Sequence, residues 1–170
     1  MEVLVVLAPH DYRDEEYLIP KKILEAAGSK VTVAGPVEGV YTGMLGSKVK
    51  PDLTFSQVRP LDYDAIMLVG GAGSRKWLWD NKLLHNIVFQ AWEAGRLVAA
   101  ICLSPSVLAR AGILSGVKAT VFRLPAATDA LREAGALLRD DHIVLDGNIL
   151  TCDGPESAGE FAEKMLEILS

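Results

Sequence analysis

The chain has 170 residues, half of them hydrophobic, and carries a net charge of −5 with a pI near 5.2. A chain of this length makes one compact domain that buries roughly 70% of the surface its unfolded form would expose, so it needs no disulfide framework or structural metal to fold. The acidic balance, with no cluster of Lys and Arg, argues against nucleic acid and anionic membranes as partners.

Residues 2–8 (EVLVVLA) read as a buried strand, far too short to cross a bilayer and without a charged region before them. An amphipathic helix follows over 14–27 and stops at Gly28, and a strand returns over 30–34. Residues 38–53 break this rhythm: Gly39, Gly43, Gly46 and Pro51 punctuate short alternating runs and predict a β-hairpin excursion. A strand over 65–69, a helix over 82–94 ended by Gly95, and a strand over 97–101 come next. The remainder reads as a helix over 103–112, a strand over 117–121 and a helix over 126–134. Strands over 142–145 and 148–152 then flank the turn Asp146-Gly147-Asn148, and a last helix covers 156–169. Several strands are continuous apolar runs, as expected where helices cover both faces of a sheet. The strand–helix–strand order predicts parallel pairing with right-handed crossovers. The expected fold is a single α/β domain over 1–170, a doubly wound three-layer sandwich of the flavodoxin-like kind. Its sheet is mostly parallel, with the β-hairpin excursion to one side.

Ligands of such sheets bind at the carboxyl ends of the parallel strands, where loops 8–13, 70–76 and 101–105 should meet. In Ala99-Ala100-Ile101-Cys102-Leu103-Ser104-Pro105 an apolar strand runs straight into a helix-compatible stretch. That is the pattern of a nucleophile elbow, whose sharp turn needs small residues two before and two after the nucleophile; Ala100 and Ser104 meet the need. A thiol there lies at a helix N-terminus, which is expected to lower its pKa and supply thiolate near neutral pH. The alternative is a buried cysteine acting only as a small hydrophobe.

The run Gly70-Gly71-Ala72-Gly73 directly after a buried strand lets backbone approach a ligand, and the N–H groups of Gly71 and Leu103 would form an oxyanion site. It is equally a common strand-to-helix turn, and it matches neither a phosphate loop nor a dinucleotide fingerprint. In Arg13-Asp14-Glu15-Glu16, the side chains of Asp14 and Glu15 suit a helix N-terminus. Glu16 leads into an apolar face, and a carboxylate turned toward a thiolate would share a proton with it.

Cys102 and Cys152 lie fifty residues apart with no C-x-x-C or His/Cys cluster, so neither a disulfide framework, a metal nor another cofactor is expected. Cys152 reads as structural, with a resolving thiol as the alternative. His10 follows the first strand at the edge of the elbow, where it either approaches Cys102 or is solvated; His85 and His142 read as solvated. Trp77 and Trp79 either pave a rim or interface, or fold back over the core.

The segments EYLIP at 16–20, TGMLGSKVKPDLTF at 42–55, DAIMLVGG at 64–71, AAIC at 99–102 and DGNILTC at 146–152 together resemble the ThiJ/PfpI superfamily, which has the class I glutamine-amidotransferase-like fold. The resemblance spans the chain in order. It implies that Cys102 is the nucleophile, that Glu16 hydrogen-bonds it, and that Gly71 and Leu103 form the oxyanion site. This chain also departs from the family pattern. Leu103 stands where the peptidase branch has histidine, and Phe122 where the deglycase branch has one. Arg75 stands where a partner carboxylate is drawn in, and Asp153 replaces an arginine.

The resulting expectation is a Cys102-dependent hydrolase or hydratase acting slowly on small electrophiles such as reactive carbonyls, in the manner of a glyoxalase or deglycase. A non-enzymatic, redox-responsive stress protein is the alternative, and an intracellular cysteine peptidase a third reading. A cytoplasmic homodimer or higher homo-oligomer is expected, with no nucleic-acid or membrane partner.

Overall fold

The computed structural model describes residues 1–170. β1 (Glu2–Val6) opens the chain, a short β2 (His10–Tyr12) follows, and α1 (Asp14–Ala26) leads back to β3 (Lys30–Gly35). β4 (Tyr41–Gly43), β5 (Lys48–Val49) and β6 (Leu53–Thr54) precede β7 (Ala65–Leu68), α2 (Gly73–Trp77) and α3 (Lys82–Glu93). β8 (Leu97–Ile101), α4 (Pro105–Arg110), β9 (Lys118–Ala119), α5 (Pro125–Glu133) and β10 (Leu137–Leu138) come next. The hairpin β11 (Ile143–Asp146) and β12 (Ile149–Cys152) is followed by α6 (Ala158–Leu169).

Seven strands form the central sheet in the order β11-β12-β8-β7-β1-β3-β6. Every pairing is parallel except β11 with β12. Its strands are apolar on both sides because each face carries its own core. One face, with Leu4, Ile66, Val98 and Ile149, packs against Leu84 and Val88 of α3, Leu108 of α4 and Leu131 of α5. The other, with Val5, Met67, Ile101 and Leu150, packs against Tyr17 and Leu24 of α1 and Phe161 and Met165 of α6. The expected doubly wound three-layer sandwich is the observed architecture. No helix is long and apolar enough to cross a membrane.

The excursion at 38–53 is an antiparallel β4–β5 pair, as expected, with β2 added in parallel to make a small three-stranded sheet. The strand expected over 117–121 does not join the central sheet. Only β9 forms, and it pairs with β10. Side chains meet its flanking backbone instead: Lys118 N–H donates to Asp146 and Thr120 N–H to Thr151, each at 2.9 Å. β11 has folded back on β12 and taken the sheet edge that this segment would have occupied. The helix expected over 103–112 is shorter, beginning at Pro105, a residue suited to a helix's first turn.

The segment 70–79 was not expected to be helical, yet it contains α2. It turns Trp79 into the core, where its exposure is 1%. His85, expected to be solvated, is buried as a consequence: its ring Nε2 lies 2.6 Å from the Trp79 carbonyl oxygen. Gly73 opens α2 where an added Cβ would overlap the His10 carbonyl oxygen and come within 3.2 Å of Ala8.

Gly73→Ala is therefore expected to destabilise the protein by about 1–3 kcal/mol. Gly159 lies in α6, where a methyl group would meet only Ile19 at 3.9 Å. Gly159→Ala, at the second position of α6, should stabilise by about 0.4–1 kcal/mol, because alanine leaves the unfolded chain fewer conformations to lose. Urea denaturation midpoints should shift in opposite directions for the two variants.

Candidate active site

β7 and β8 run side by side, with Leu68 opposite Ala100, so the loops that follow them emerge at one edge of the sheet. Cys102 sits at that edge with φ of 62°, one of two non-glycine residues in the left-handed region. Such a conformation costs about 1–3 kcal/mol and persists only where the surroundings enforce it. Here they do. The Cys102 N–H donates to the Cys152 carbonyl at 2.8 Å, and the Cys102 carbonyl accepts from Phe122 N–H at 2.8 Å. The Ser104 hydroxyl donates to the Val69 carbonyl at 2.7 Å and meets the Ser74 hydroxyl at 2.9 Å. Trp79 Nε1–H donates to the Leu103 carbonyl at 2.9 Å. The buried reading of Trp79 is the correct one, and its indole fixes the elbow from below.

Gly70 lets α1 approach. A Cβ there would lie 2.7 Å from both the Cys102 Cβ and the Ile101 carbonyl oxygen, and 2.8 Å from Glu16 Oε1. Its N–H donates to Glu16 Oε1 at 3.0 Å, and its carbonyl accepts from Arg13 N–H at 3.0 Å. Asp14 anchors the same turn from the other side, accepting from Leu45 N–H at 2.7 Å and Ser47 N–H at 2.9 Å. Glu16 is fully buried; its Oε2 is enclosed and has no hydrogen-bond partner. The carboxyl and the Cys102 side chain both border Gly70, and each acts on the other's ionisation. The structure thus brings together five of the residues singled out in the sequence: Cys102, Glu16, Gly70, Gly71 and Leu103.

The electrostatics differ from expectation. Burial raises Glu16 from 4.5 to about 7, against the opposing pull of the Cys102 thiol, the Gly70 N–H and Arg13. Burial, followed by the charge of Glu16, also pushes the Cys102 thiol upward; the N–H groups of Gly71 and Leu103 pull it back only in part. The expected lowering of the thiol by a helix terminus is not what the structure shows. α4 starts three residues beyond Cys102 and is only six residues long, so its dipole is weak and misplaced. Burial thus favours the protonated form of both acids.

The remaining candidates stand farther off. His10 is exposed and its ring packs on Trp77 at 6.1 Å between centroids, with no hydrogen bond to either member of the pair. His142 is exposed as expected but is ion-paired with Asp153 at 2.8 Å, which raises its pKa. Arg75 lies over the face of Trp79 at 5.4 Å. Sequence reasoning missed Arg13, whose Nε donates to Glu15 at 2.7 Å and whose charge acts on both Glu16 and Cys102. Its position among three carboxyl residues at the start of α1 was the available signal. No group of three or more His, Cys, Asp or Glu side chains is placed to hold a metal ion. A cleft of about 560 Å³ lined by Glu38, Lys50, Asp52 and Thr54 includes none of the site residues.

The model of the DJ-1/PfpI family matches residues 1–168. A deglycase of Pyrococcus horikoshii is 32% identical over 169 residues, 99% of each chain. A glutathione-independent glyoxalase of Caenorhabditis elegans is 28% identical over 98% of this chain and 87% of its own. The crystal structure of a ThiJ/PfpI domain protein from Brachyspira murdochii superposes with a TM-score of 0.94 at 32% identity, covering 99% of this chain and 95% of the other.

The Glu16 carboxyl binds its proton more tightly in the fold than in the unfolded chain. Its contribution is therefore fully present below pH 4.5 and is lost as pH rises through about 7. The interval between those values corresponds to about 3 kcal/mol. Glu16→Gln is expected to flatten the fall in unfolding free energy across that window, as measured by denaturant titrations from pH 4 to 8.

Proposed function

The chain belongs to the DJ-1/PfpI family, and on that footing we propose that it is a Cys102-dependent enzyme acting on small reactive carbonyls, 2-oxoaldehydes in particular. Deglycase and glyoxalase names among its relatives support a small-molecule substrate. The observation that carries the reading is the placing of Cys102, held at φ of 62°, and the fully buried Glu16 side by side at Gly70.

Glu16, at about 7, suits a general base working near neutral pH. It takes the thiol proton as Cys102 Sγ attacks the aldehyde carbon. The carbonyl π electrons pass to oxygen, which faces the N–H groups of Gly71 and Leu103. Glu16 returns the proton to that oxygen and leaves a hemithioacetal. As carboxylate it then removes the proton on the sulfur-bearing carbon, and reprotonation of the neighbouring carbon yields a thioester. Water hydrolyses the thioester to the 2-hydroxy acid and frees the thiol.

The same site is a poor peptidase. Expelling an amine requires a group that cycles a proton to the leaving nitrogen. Leu103 and Phe122 cannot do so, and His10 is engaged with Trp77. A non-enzymatic thiol role would use the same pair without turnover, so the carbonyl assay separates the two readings. A homodimer is also proposed. Its support is no longer the tryptophans, since Trp79 is buried, but the exposed apolar side chains of Leu18, Ile19, Met44 and Leu45. Light scattering should return twice the chain mass at micromolar concentration, and a monomer would overturn this.

Methylglyoxal consumption should rise with pH through about 7 and vanish in Cys102→Ser. Glu16→Gln should lower it by about 10²–10⁴-fold and remove the pH limb. Absence of any Cys102-dependent consumption would refute the enzyme reading. Casein and fluorogenic peptides should show no cleavage above the Cys102→Ser background.

A further inference from the structure

We infer that Cys152 is the resolving thiol for Cys102, giving the site a second activity: reduction of hydroperoxides through a Cys102–Cys152 disulfide. This rests on the reading of Cys102 as the reactive thiol. The chain has only these two cysteines, and both are free.

The geometry comes from the turn. In a regular strand, Cys102 would point to the face opposite Ile101. With φ of 62° the alternation ends, and Cys102 packs beside Ile101 in the core that α1 and α6 cover. Cys152 pairs in register with Ile101 and belongs to that same core. The 2.8 Å hydrogen bond from Cys102 N–H to the Cys152 carbonyl makes the two residues lateral neighbours. Adjacent strands run roughly 4.8 Å apart, inside the roughly 4.4–6.8 Å between α-carbons that a disulfide tolerates. The charge of Glu16 acts on both thiols, so both sulfurs lie in the field of one carboxylate. The hydrogen bond that Cys152 Sγ makes is a 3.7 Å contact to the Gly154 carbonyl. A purely structural cysteine would be buried in the same way. What sets this one apart is its place beside the reactive residue, on the strand paired with β8 and with its carbonyl bonded to the Cys102 N–H.

The step balances as follows. Cys102 sulfur attacks the terminal oxygen of a hydroperoxide, the O–O bond breaks, and the alcohol leaves with a proton passed from the thiol through Glu16. Cys102 is now a sulfenic acid. Cys152 sulfur attacks the Cys102 sulfur, the S–O bond breaks, and water departs with the Cys152 proton as the S–S bond forms. Two thiols have given two electrons to the peroxide, and an external dithiol restores them. Resolution by Cys152, which is fully buried and beside the sulfenic acid, competes with a second peroxide molecule that would carry Cys102 on to sulfinate.

The test is intact-mass spectrometry and non-reducing peptide mapping after one equivalent of hydrogen peroxide, on wild type, Cys152→Ser and Cys152→Ala. Wild type should lose two hydrogens, yield a cross-linked Cys102/Cys152 peptide, and recover its mass with dithiothreitol. The variants should instead accumulate about tenfold more Cys102 sulfinate, which dithiothreitol does not reverse. Equal sulfinate in all three proteins with no cross-linked peptide would overturn the inference while leaving Cys102 as the reactive thiol. The wild-type peptide map decides this even if a variant fails to fold. Cys102 left unmodified by peroxide would overturn both this inference and the reactive-thiol reading beneath it.

Discussion

The site depends on the close approach of three backbone segments at Gly70. A single methyl group there would collide with the Cys102 Cβ, the Ile101 carbonyl and Glu16 Oε1 at once. Because Gly70 has no side chain, the ends of β7 and β8 and the first turn of α1 meet with no room for water between them. Its N–H and carbonyl then tie down Glu16 and Arg13 respectively. Burial at this junction raises both acids, because neither charged form is well solvated in so enclosed a space.

That enclosure shapes the chemistry. A histidine shuttle would be a solvated group able to exchange protons with water. This site has instead a buried carboxyl raised to about 7 beside the Cys102 thiol. Proton transfer within the pair needs no diffusing partner and suits addition to a carbonyl, where the proton taken from sulfur is returned to oxygen. It does not suit amide cleavage, where a distant nitrogen must be protonated. The hydrogen bonds from Cys152, Phe122, Ser104 and Trp79 to the elbow share one purpose, which is to hold a strained turn that the backbone would otherwise relax.

The tertiary structure corrected local expectations through competition for partners. Thr120 and its neighbours have strand-like composition, but β11 occupies the sheet edge, and the segment satisfies its backbone with the side chains of Thr151 and Asp146. His85 lies on a helix face that looked polar, and it is buried because Trp79 turned inward beneath it. Neither outcome is visible in a window of a dozen residues, since each depends on where a distant segment lies.

Sequence alone determined the alternation of apolar runs and amphipathic helices, and with it the doubly wound sheet, because periodicity and glycine stops are local properties. It also marked Cys102 by the small residues a sharp strand-to-helix turn demands, Gly70, Gly71 and Leu103 by glycines directly after a buried strand, and Glu16 by the apolar face it leads into and by the family resemblance. Only the tertiary structure decided the protonation balance, the part played by Arg13, the burial of Trp79 and the facing of Cys102 with Cys152. Those depend on desolvation and on contacts between segments fifty or more residues apart, such as the Gly70–Glu16 hydrogen bond and the Cys152–Cys102 backbone link. Such contacts leave no pattern in the order of the residues and exist only once the chain has packed.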